Sequence, residues 1–158
     1  MTAITDAITE LTILQPDDWH IHLRDDRALA TTVPHAATAF NRVICMPNLV
    51  PPVKNVSDAR AYRERILQQL QNSDVTAERK AAFDPRMTLY MTDQTSVEDI
   101  QLAAQSGIVQ AVKLYPAGAT TNSADGVTDI NARADIFEAM EKHNLPLLIH
   151  GEVTHSHV

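Results

Sequence analysis

Cysteine, positive charge and long apolar runs are all scarce in this sequence, and each shortage excludes a class of protein. Cys45 is the single cysteine, so it cannot form a disulfide within the chain. The formal net charge of -7 argues against nucleic acid as a partner, because phosphate backbones are bound through basic surfaces. No stretch approaches the roughly 20 apolar residues that span a membrane.

The start of the sequence also lacks the pattern of a secretory signal. Residues 1–14, MTAITDAITELTIL, have neither a basic start nor a small-residue cleavage site. We therefore expect a cytoplasmic protein with no membrane partner. In that setting Cys45, inside the apolar run RVICMPN, is expected to behave as a buried small hydrophobe.

What the sequence does contain is typical of one globular domain. Its 158 residues, 44% of them hydrophobic, are enough to bury about two thirds of their surface. There is no internal repeat, low-complexity tract or Gly/Ser linker. We therefore expect residues 1–158 to form a single domain.

Short apolar runs alternate with amphipathic stretches, which predicts a parallel sheet covered by helices. Each run has the length and apolar character of a buried strand. The predicted strands are DWHIHLR (18–24), RVICMPN (42–48), MTLYMTD (87–93), VQAVKLYP (109–116) and LPLLIHGE (145–152).

Four helices are predicted between these strands. Pro34 lies inside the first, from about Arg27 to Phe40, so we expect a break or a late start there. The second begins near Ser57. Ser96 begins the third in a capping-box pattern, and Asp129 can cap the fourth.

This order of elements, about five strands and four helices, predicts an α/β fold, the amino-terminal part of a TIM-like (β/α)8 barrel. A closed barrel usually takes about 250 residues, and the predicted elements make little more than half of one. Residues 1–158 would then be a single partial barrel domain. A doubly wound open sheet is the alternative. A half barrel exposes two strand edges, which invites pairing with another chain.

The first strand carries two histidines that can share a metal ion. Side chains alternate along a strand, so His20, His22 and Arg24 are expected on one face and Ile21 and Leu23 on the other. Two imidazoles at this spacing can both reach one divalent ion at about 2.1 Å. The alternative is that this face of the strand points to solvent.

Two further candidates lie near the ends of later strands. Lys113 lies between Val112 and Leu114, where a buried ammonium tends to lose its proton; alternatively it reaches water. His150 ends the apolar run LPLLIH. Barrel active sites lie at the carboxyl ends of strands, so we expect His20, His22, Lys113 and His150 to form one site.

Four segments carry a resemblance to a known family. WHIHLR, MPNLVPP, KLYPAGATTNS and PLLIHGEVTH look like consecutive signature segments of bacterial dihydroorotases of the single-function type. The resemblance runs from about residue 16 to residue 155, and it implies that the barrel is a metal-dependent hydrolase. It implies two zinc ions as cofactors: His20 and His22 bind one, His150 binds the other, and a carboxylated Lys113 bridges them.

The same resemblance implies how the substrate is held. Arg24 and Asn48 would bind its carboxylate, and a guanidinium suits that anion. The polar loop 116–128 would be a lid, with Thr120 and Thr121 closing over the substrate. The alternative for this loop is a mobile connector without such contacts.

The implied activity is the reversible conversion of N-carbamoyl-L-aspartate to L-dihydroorotate in pyrimidine synthesis, by an enzyme that forms a homodimer. It also requires a further histidine ligand and a proton-shuttling aspartate, which the resemblance places beyond Val158. No catalytic residue is therefore expected within residues 1–158, and this segment alone is expected to be inactive.

Two other functions stay open. One is a related binuclear amidase, such as a hydantoinase or allantoinase, although Arg24 and Asn48 favour a carboxylated substrate. The other is a non-catalytic scaffold for a transcarbamoylase, which would have no need of metal ligands. Of the remaining histidines, His155 and His157 are expected to be exposed.

Overall fold

The computed structural model describes residues 10–152, in which strands and helices alternate along the chain. No helix in this described part is both long and apolar enough to cross a membrane. The elements are β1 (Asp18–Ile21), α1 (Leu29–Ala39), β2 (Arg42–Cys45), α2 (Val56–Gln71), α3 (Ala77–Ala82), β3 (Asp84–Met91), α4 (Val97–Gln105), β4 (Val109–Leu114), α5 (Ala134–Lys142) and β5 (Leu147–Ile149).

The strands form one parallel sheet in the order β1-β2-β3-β4-β5, the same as their order in the chain. A doubly wound sheet instead reverses direction at a switch point, so that its strand order differs from its chain order. The sequential order therefore contradicts the doubly wound alternative. It fits successive right-handed β-α-β units that turn in one direction, as in a barrel.

The two faces of the sheet have different roles. Val43, Cys45, Leu89 and Val112 belong to the hydrophobic core, together with the buried faces of the helices. The alternate residues point to the other, inner face, where Tyr90 of β3 is in register with Lys113 of β4. Cys45 is 1% exposed, which confirms the expected buried thiol, and burial raises the pKa of that thiol.

Helix α1 is continuous through Pro34, so the predicted break or late start at that proline is wrong. A proline at this position leaves the carbonyl of Ala30 without its usual helical donor. Ala30 is exposed, and water can satisfy that carbonyl. Val33 and Ala36, on either side, are buried in the core and hold the helix in place.

Three of the four predicted helix starts are correct to within two residues. Ser96 and Asp99 form the predicted capping box at the start of α4. Asp129 instead caps a single 3-10 turn, and α5 begins five residues after it, at Ala134. Helix α3 was not predicted; Thr76 caps its start, and the Thr76 hydroxyl accepts a hydrogen bond from the backbone N–H of Arg79.

Candidate metal centre

Three strands place the predicted ligands at one edge of the sheet. His20 is the third residue of β1, Lys113 is the fifth residue of β4, and His150 directly follows β5. Because all strands are parallel, these positions lie at the same, carboxyl-terminal edge. The structure therefore confirms the predicted placement of these residues near strand ends.

His20 and His22 form a close pair. Their Nε2 atoms are 3.3 Å apart, and their ring planes are tilted by 52°. Two ligands each about 2.1 Å from one tetrahedral ion would be separated by about 3.4 Å. The pair therefore fits a shared divalent metal. His20 is exposed and His22 is half-buried, so this side of β1 is also open to solvent.

The surroundings of both imidazoles favour their neutral form, which is the form that binds a metal. Partial burial lowers the pKa of His20, and the positive charge of Lys113 lowers it further. Burial likewise lowers the pKa of His22, with a further contribution from the charge of Arg24.

Lys113 is almost fully buried, with 2% of its surface exposed. The alternative that this side chain reaches water is therefore wrong. Burial lowers the pKa of its amine, because a charged ammonium is poorly solvated there. Within residues 10–152 Lys113 takes part in no ion pair, and its Nζ lies 5.3 Å from the centre of the Tyr115 ring.

His150 is held at the end of β5 by three contacts. Its backbone N–H donates to the carbonyl of Leu114 at 2.9 Å, and its ring lies 5.8 Å from the ring of Tyr115. Its Nε2 lies 2.6 Å from Oε2 of Glu152. Glu152 was not predicted as a site residue. Its position two residues after His150 on an extended chain could have indicated that the two side chains meet.

The imidazoles do not by themselves complete a ligand set. Among residues 10–152, no three side chains of histidine, cysteine, aspartate or glutamate are grouped as a metal site would require. The described side chains thus provide a histidine pair, a separate histidine and a buried amine. His155 and His157 lie outside the described residues. His35 lies on α1, and His143 ends α5.

Arg24 does not continue the strand as predicted. β1 ends at Ile21, and Arg24 has a φ of 63°, in the left-handed region, so its side chain does not follow the alternation of His20 and His22. The hydroxyl of Tyr62 fixes this turn by donating to the carbonyl of Arg24 at 2.6 Å. The guanidinium forms no ion pair with any residue between 10 and 152.

Asn48 is the buried polar residue of the β2–α2 connection, with 3% of its surface exposed. Its Nδ2 donates to the carbonyl of Thr121 at 3.0 Å, and its Oδ1 has no hydrogen-bond partner among the described residues. Buried polar atoms seldom lack a hydrogen-bond partner, and a buried polar atom without one often marks a functional position. Asn48 therefore has hydrogen-bonding capacity left for a ligand.

Loop 116–128 is folded on itself and contacts the site. Its ends meet where the N–H of Val127 donates to the carbonyl of Tyr115 at 2.9 Å. A Cβ at Gly126 would lie 2.3 Å from that carbonyl, so this approach requires glycine. Asn122 donates to the carbonyl of Asn48 at 3.1 Å. The loop is therefore held against the β2–α2 connection, and its closing over a substrate stays a prediction.

Thr120 and Thr121 lie at the tip of this loop. The N–H of Thr120 donates to the hydroxyl of Ser123 at 2.8 Å, and the carbonyl of Thr121 accepts from Asn48. Thr121 is exposed and Thr120 is partly exposed. The backbone of Thr121 thus holds the loop against the β2–α2 connection, and the backbone of Thr120 bonds within the loop. The roles of both threonines toward a substrate stay predictions.

Two stacked tyrosines lie next to Lys113. The rings of Tyr90 and Tyr115 are stacked with centroids 5.0 Å apart. Burial raises the pKa of Tyr90 to about 12. The Tyr115 hydroxyl is buried without a hydrogen-bond partner in the described part of the chain. Neither tyrosine was predicted as a site residue, because both lie in apolar runs that look like ordinary core.

Comparison with known proteins identifies the family of this chain. The model of the Amidohydrolase family matches residues 14–157. A dihydroorotase of Acinetobacter baumannii is 55% identical over 151 residues, which is 96% of this chain and 42% of that relative. The chain therefore spans about two fifths of the length of the curated relatives it matches.

Solved structures show the same similarity. A dihydroorotase from Campylobacter jejuni superposes with a TM-score of 0.76 and 39% identity, covering 89% of this chain and 39% of that one. A dihydroorotase from Saccharomyces cerevisiae, solved with 5-fluoroorotic acid, gives a TM-score of 0.75 and 31% identity, covering 87% and 36%. The predicted amino-terminal part of a TIM-like hydrolase barrel is thus confirmed, and the chain belongs to the amidohydrolase family.

Proposed function

We propose that this chain is part of a zinc-dependent cyclic amide hydrolase that interconverts N-carbamoyl-L-aspartate and L-dihydroorotate. The observation that carries this proposal is the buried Lys113 at the same sheet edge as the His20–His22 pair. The 55% identity to a dihydroorotase supports the choice of reaction. The chemistry depends on the full-length protein.

In this proposal four side chains hold two zinc ions. His20 and His22 would hold one, His150 would hold the other, and Lys113, as a carboxylated amine, would supply an anionic oxygen ligand. Bound zinc would supply a nucleophile near neutral pH and would polarise the attacked carbonyl. The donor set fits, because neutral imidazoles and an anionic oxygen ligand are both suited to zinc.

Lys113 is suited to carboxylation because burial lowers the pKa of its amine. A neutral amine can attack carbon dioxide through its lone pair and lose a proton, which converts the side chain to an anionic carbamate. An ammonium has no lone pair and cannot react. The carbamate oxygens would add an anionic ligand to the set that the histidines leave unfinished.

In the same proposal, Arg24, Asn48 and the loop 116–128 recognise the substrate. Arg24, which forms no ion pair with the described residues, supplies a guanidinium for the substrate carboxylate. Asn48 supplies a second polar contact, and Thr120 and Thr121 close over the ligand from the loop 116–128. The yeast dihydroorotase that resembles this chain was solved with an acid, 5-fluoroorotic acid, which supports an acidic substrate.

The rest of the enzyme is part of the same proposal. A further histidine ligand and the proton-shuttling aspartate would come from later strands of the full-length protein. Residues 1–158 would then be one part of a single barrel domain. The cytoplasmic location and the homodimer stay predictions.

The test is a substrate comparison on the full-length protein, with dihydroorotate, hydantoin and allantoin. We expect dihydroorotate to be hydrolysed fastest. Replacing Arg24 by glutamine should raise the KM for dihydroorotate by about 10- to 100-fold, because it removes charge-assisted hydrogen bonds of about 1.5–3 kcal/mol.

Arg27→Gln is the matched control, since Arg27 is an exposed arginine three residues away and is expected to leave KM unchanged. Preference for hydantoin or allantoin, with KM insensitive to Arg24, would instead assign a related amidase. Absence of hydrolysis of all three substrates by the metal-loaded protein would contradict the proposal.

A further inference from the structure

We propose that Glu152 is the positioning residue for His150, and that it leaves the Nδ1 atom of His150 as the ring nitrogen that faces a metal. This inference rests on the proposed metal-binding function and names a residue that supports it. The contact that carries it is the 2.6 Å approach of His150 Nε2 to Glu152 Oε2.

The geometry fixes the ring of His150 from several directions. The backbone of His150 is tied to β4 through the carbonyl of Leu114, and one side of its ring faces Tyr115. Residues two apart on an extended chain project to the same side, which brings the Glu152 carboxylate to the imidazole. His150 is therefore restrained by a backbone hydrogen bond, by the packing of its ring against Tyr115 and by the contact of Nε2 with Glu152.

The chemistry of the contact decides which nitrogen carries the proton. An ionised carboxylate can only accept a hydrogen bond, and a neutral imidazole has one donor and one acceptor nitrogen. Nε2 must therefore hold the hydrogen that it donates to Glu152, and the lone pair lies on Nδ1. A carboxylate behind a ligating histidine fixes its tautomer and makes it a more basic ligand.

Two other roles for Glu152 make different predictions. The contact is partly exposed, with 27% of the His150 side chain and 48% of the Glu152 side chain accessible, and a surface ion pair of this kind would leave metal affinity unchanged. Glu152 could alternatively bind the metal directly, in which case its removal would abolish binding of one ion rather than weaken it.

The experiment compares Glu152→Ala and Glu152→Gln in the full-length protein. Zinc affinity is measured by competition with a chromophoric chelator, and the tautomer of His150 is read from ¹⁵N NMR of labelled imidazoles. Glu152→Ala should weaken binding of one zinc ion by about 10- to 100-fold. Glu152→Gln should lose less, because the amide oxygen still accepts from Nε2.

Glu141→Ala is the matched control, because Glu141 is an exposed glutamate near the end of α5. It should leave zinc affinity unchanged, and the metal-free thermal unfolding midpoints of all variants should agree. The wild-type spectrum should show a hydrogen on Nε2 of His150 in the metal-free protein.

Several results would overturn this inference. Equal zinc affinity in wild type and Glu152→Ala, with two ions bound by each, would refute the role of Glu152 while leaving the proposed function intact. Loss of one whole ion in both variants would make Glu152 a ligand. A hydrogen on Nδ1 would contradict the assigned tautomer. A wild-type protein that binds no zinc would refute both this inference and the metal-dependent function.

Discussion

At the scale of single residues, Lys113 is the side chain on which the proposed chemistry depends most. It is 2% exposed and takes part in no ion pair within residues 10–152, so its charged form is poorly stabilised. The sequence indicated this buried lysine because Lys113 interrupts an apolar strand. It indicated Glu152 only through the spacing of two residues from His150, because an exposed glutamate is common in any sequence.

The lowered pKa of Lys113 predicts how stability depends on pH. Between that lowered value and the ordinary 10.5 of the unfolded chain, the unfolded state binds more protons. The free energy of unfolding of the metal-free protein should therefore rise with pH across this window. Lys113→Met should remove that part of the slope, as measured by denaturant unfolding at a series of alkaline pH values.

Lys142→Met provides the control for this prediction. Lys142 is exposed on α5, so its replacement should leave the pH slope as in the wild type. If Lys113→Met and the wild type lost stability in parallel as the pH fell, the amine of Lys113 would be protonated in the folded state, and its proposed reaction with carbon dioxide would lose its basis.

At the scale of helices and strands, local sequence determined what could be predicted. The capping box at Ser96 was predicted correctly, because side chain and backbone interact within one turn. The left-handed turn at Arg24 was not predicted, because it is fixed by the hydroxyl of Tyr62, which is distant in the sequence. Continuity of α1 through Pro34 likewise depends on packing against the core.

The capping box makes the element-scale prediction. The Ser96 hydroxyl accepts from the N–H of Asp99 at 3.2 Å, and the Asp99 carboxylate accepts from the N–H of Ser96 at 2.9 Å. Ser96→Ala should lower the free energy of unfolding by about 1 kcal/mol.

Ser57→Ala tests whether this effect belongs to the cap. Ser57 is exposed in the first turn of α2, where Asn55 is the capping residue, so its loss should change stability by less than about 0.5 kcal/mol. Chemical denaturation of both variants measures the difference. Equal effects of the two substitutions would show that the cap of α4 contributes nothing specific.

At the scale of the whole molecule, the sheet has two edges that matter. β1 and β5 each pair with one neighbour among the described strands, and Trp19 of β1 and Ile149 of β5 are exposed apolar residues. Unpaired strand edges favour association with other chains. In relatives more than twice as long, further chain is available to cover such edges.

A polypeptide limited to residues 1–158 is therefore predicted to self-associate and to be inactive toward dihydroorotate. Analytical ultracentrifugation at several concentrations measures the association, and a hydrolysis assay with added zinc measures activity. The full-length protein is the control and should be active. A monomeric, active 158-residue polypeptide would contradict the expectation that the site needs later strands.

The central claim is that His20, His22, Lys113 and His150 together hold two zinc ions. Anomalous diffraction at the zinc edge, on crystals of the full-length protein with a measured zinc content, tests it most directly. We predict two peaks, one against the His20–His22 pair and one against His150, with density from Lys113 Nζ extended by a carboxylate between them. Zinc-loaded crystals with no peak at this sheet edge, or with an unmodified Lys113 remote from both ions, would contradict the account.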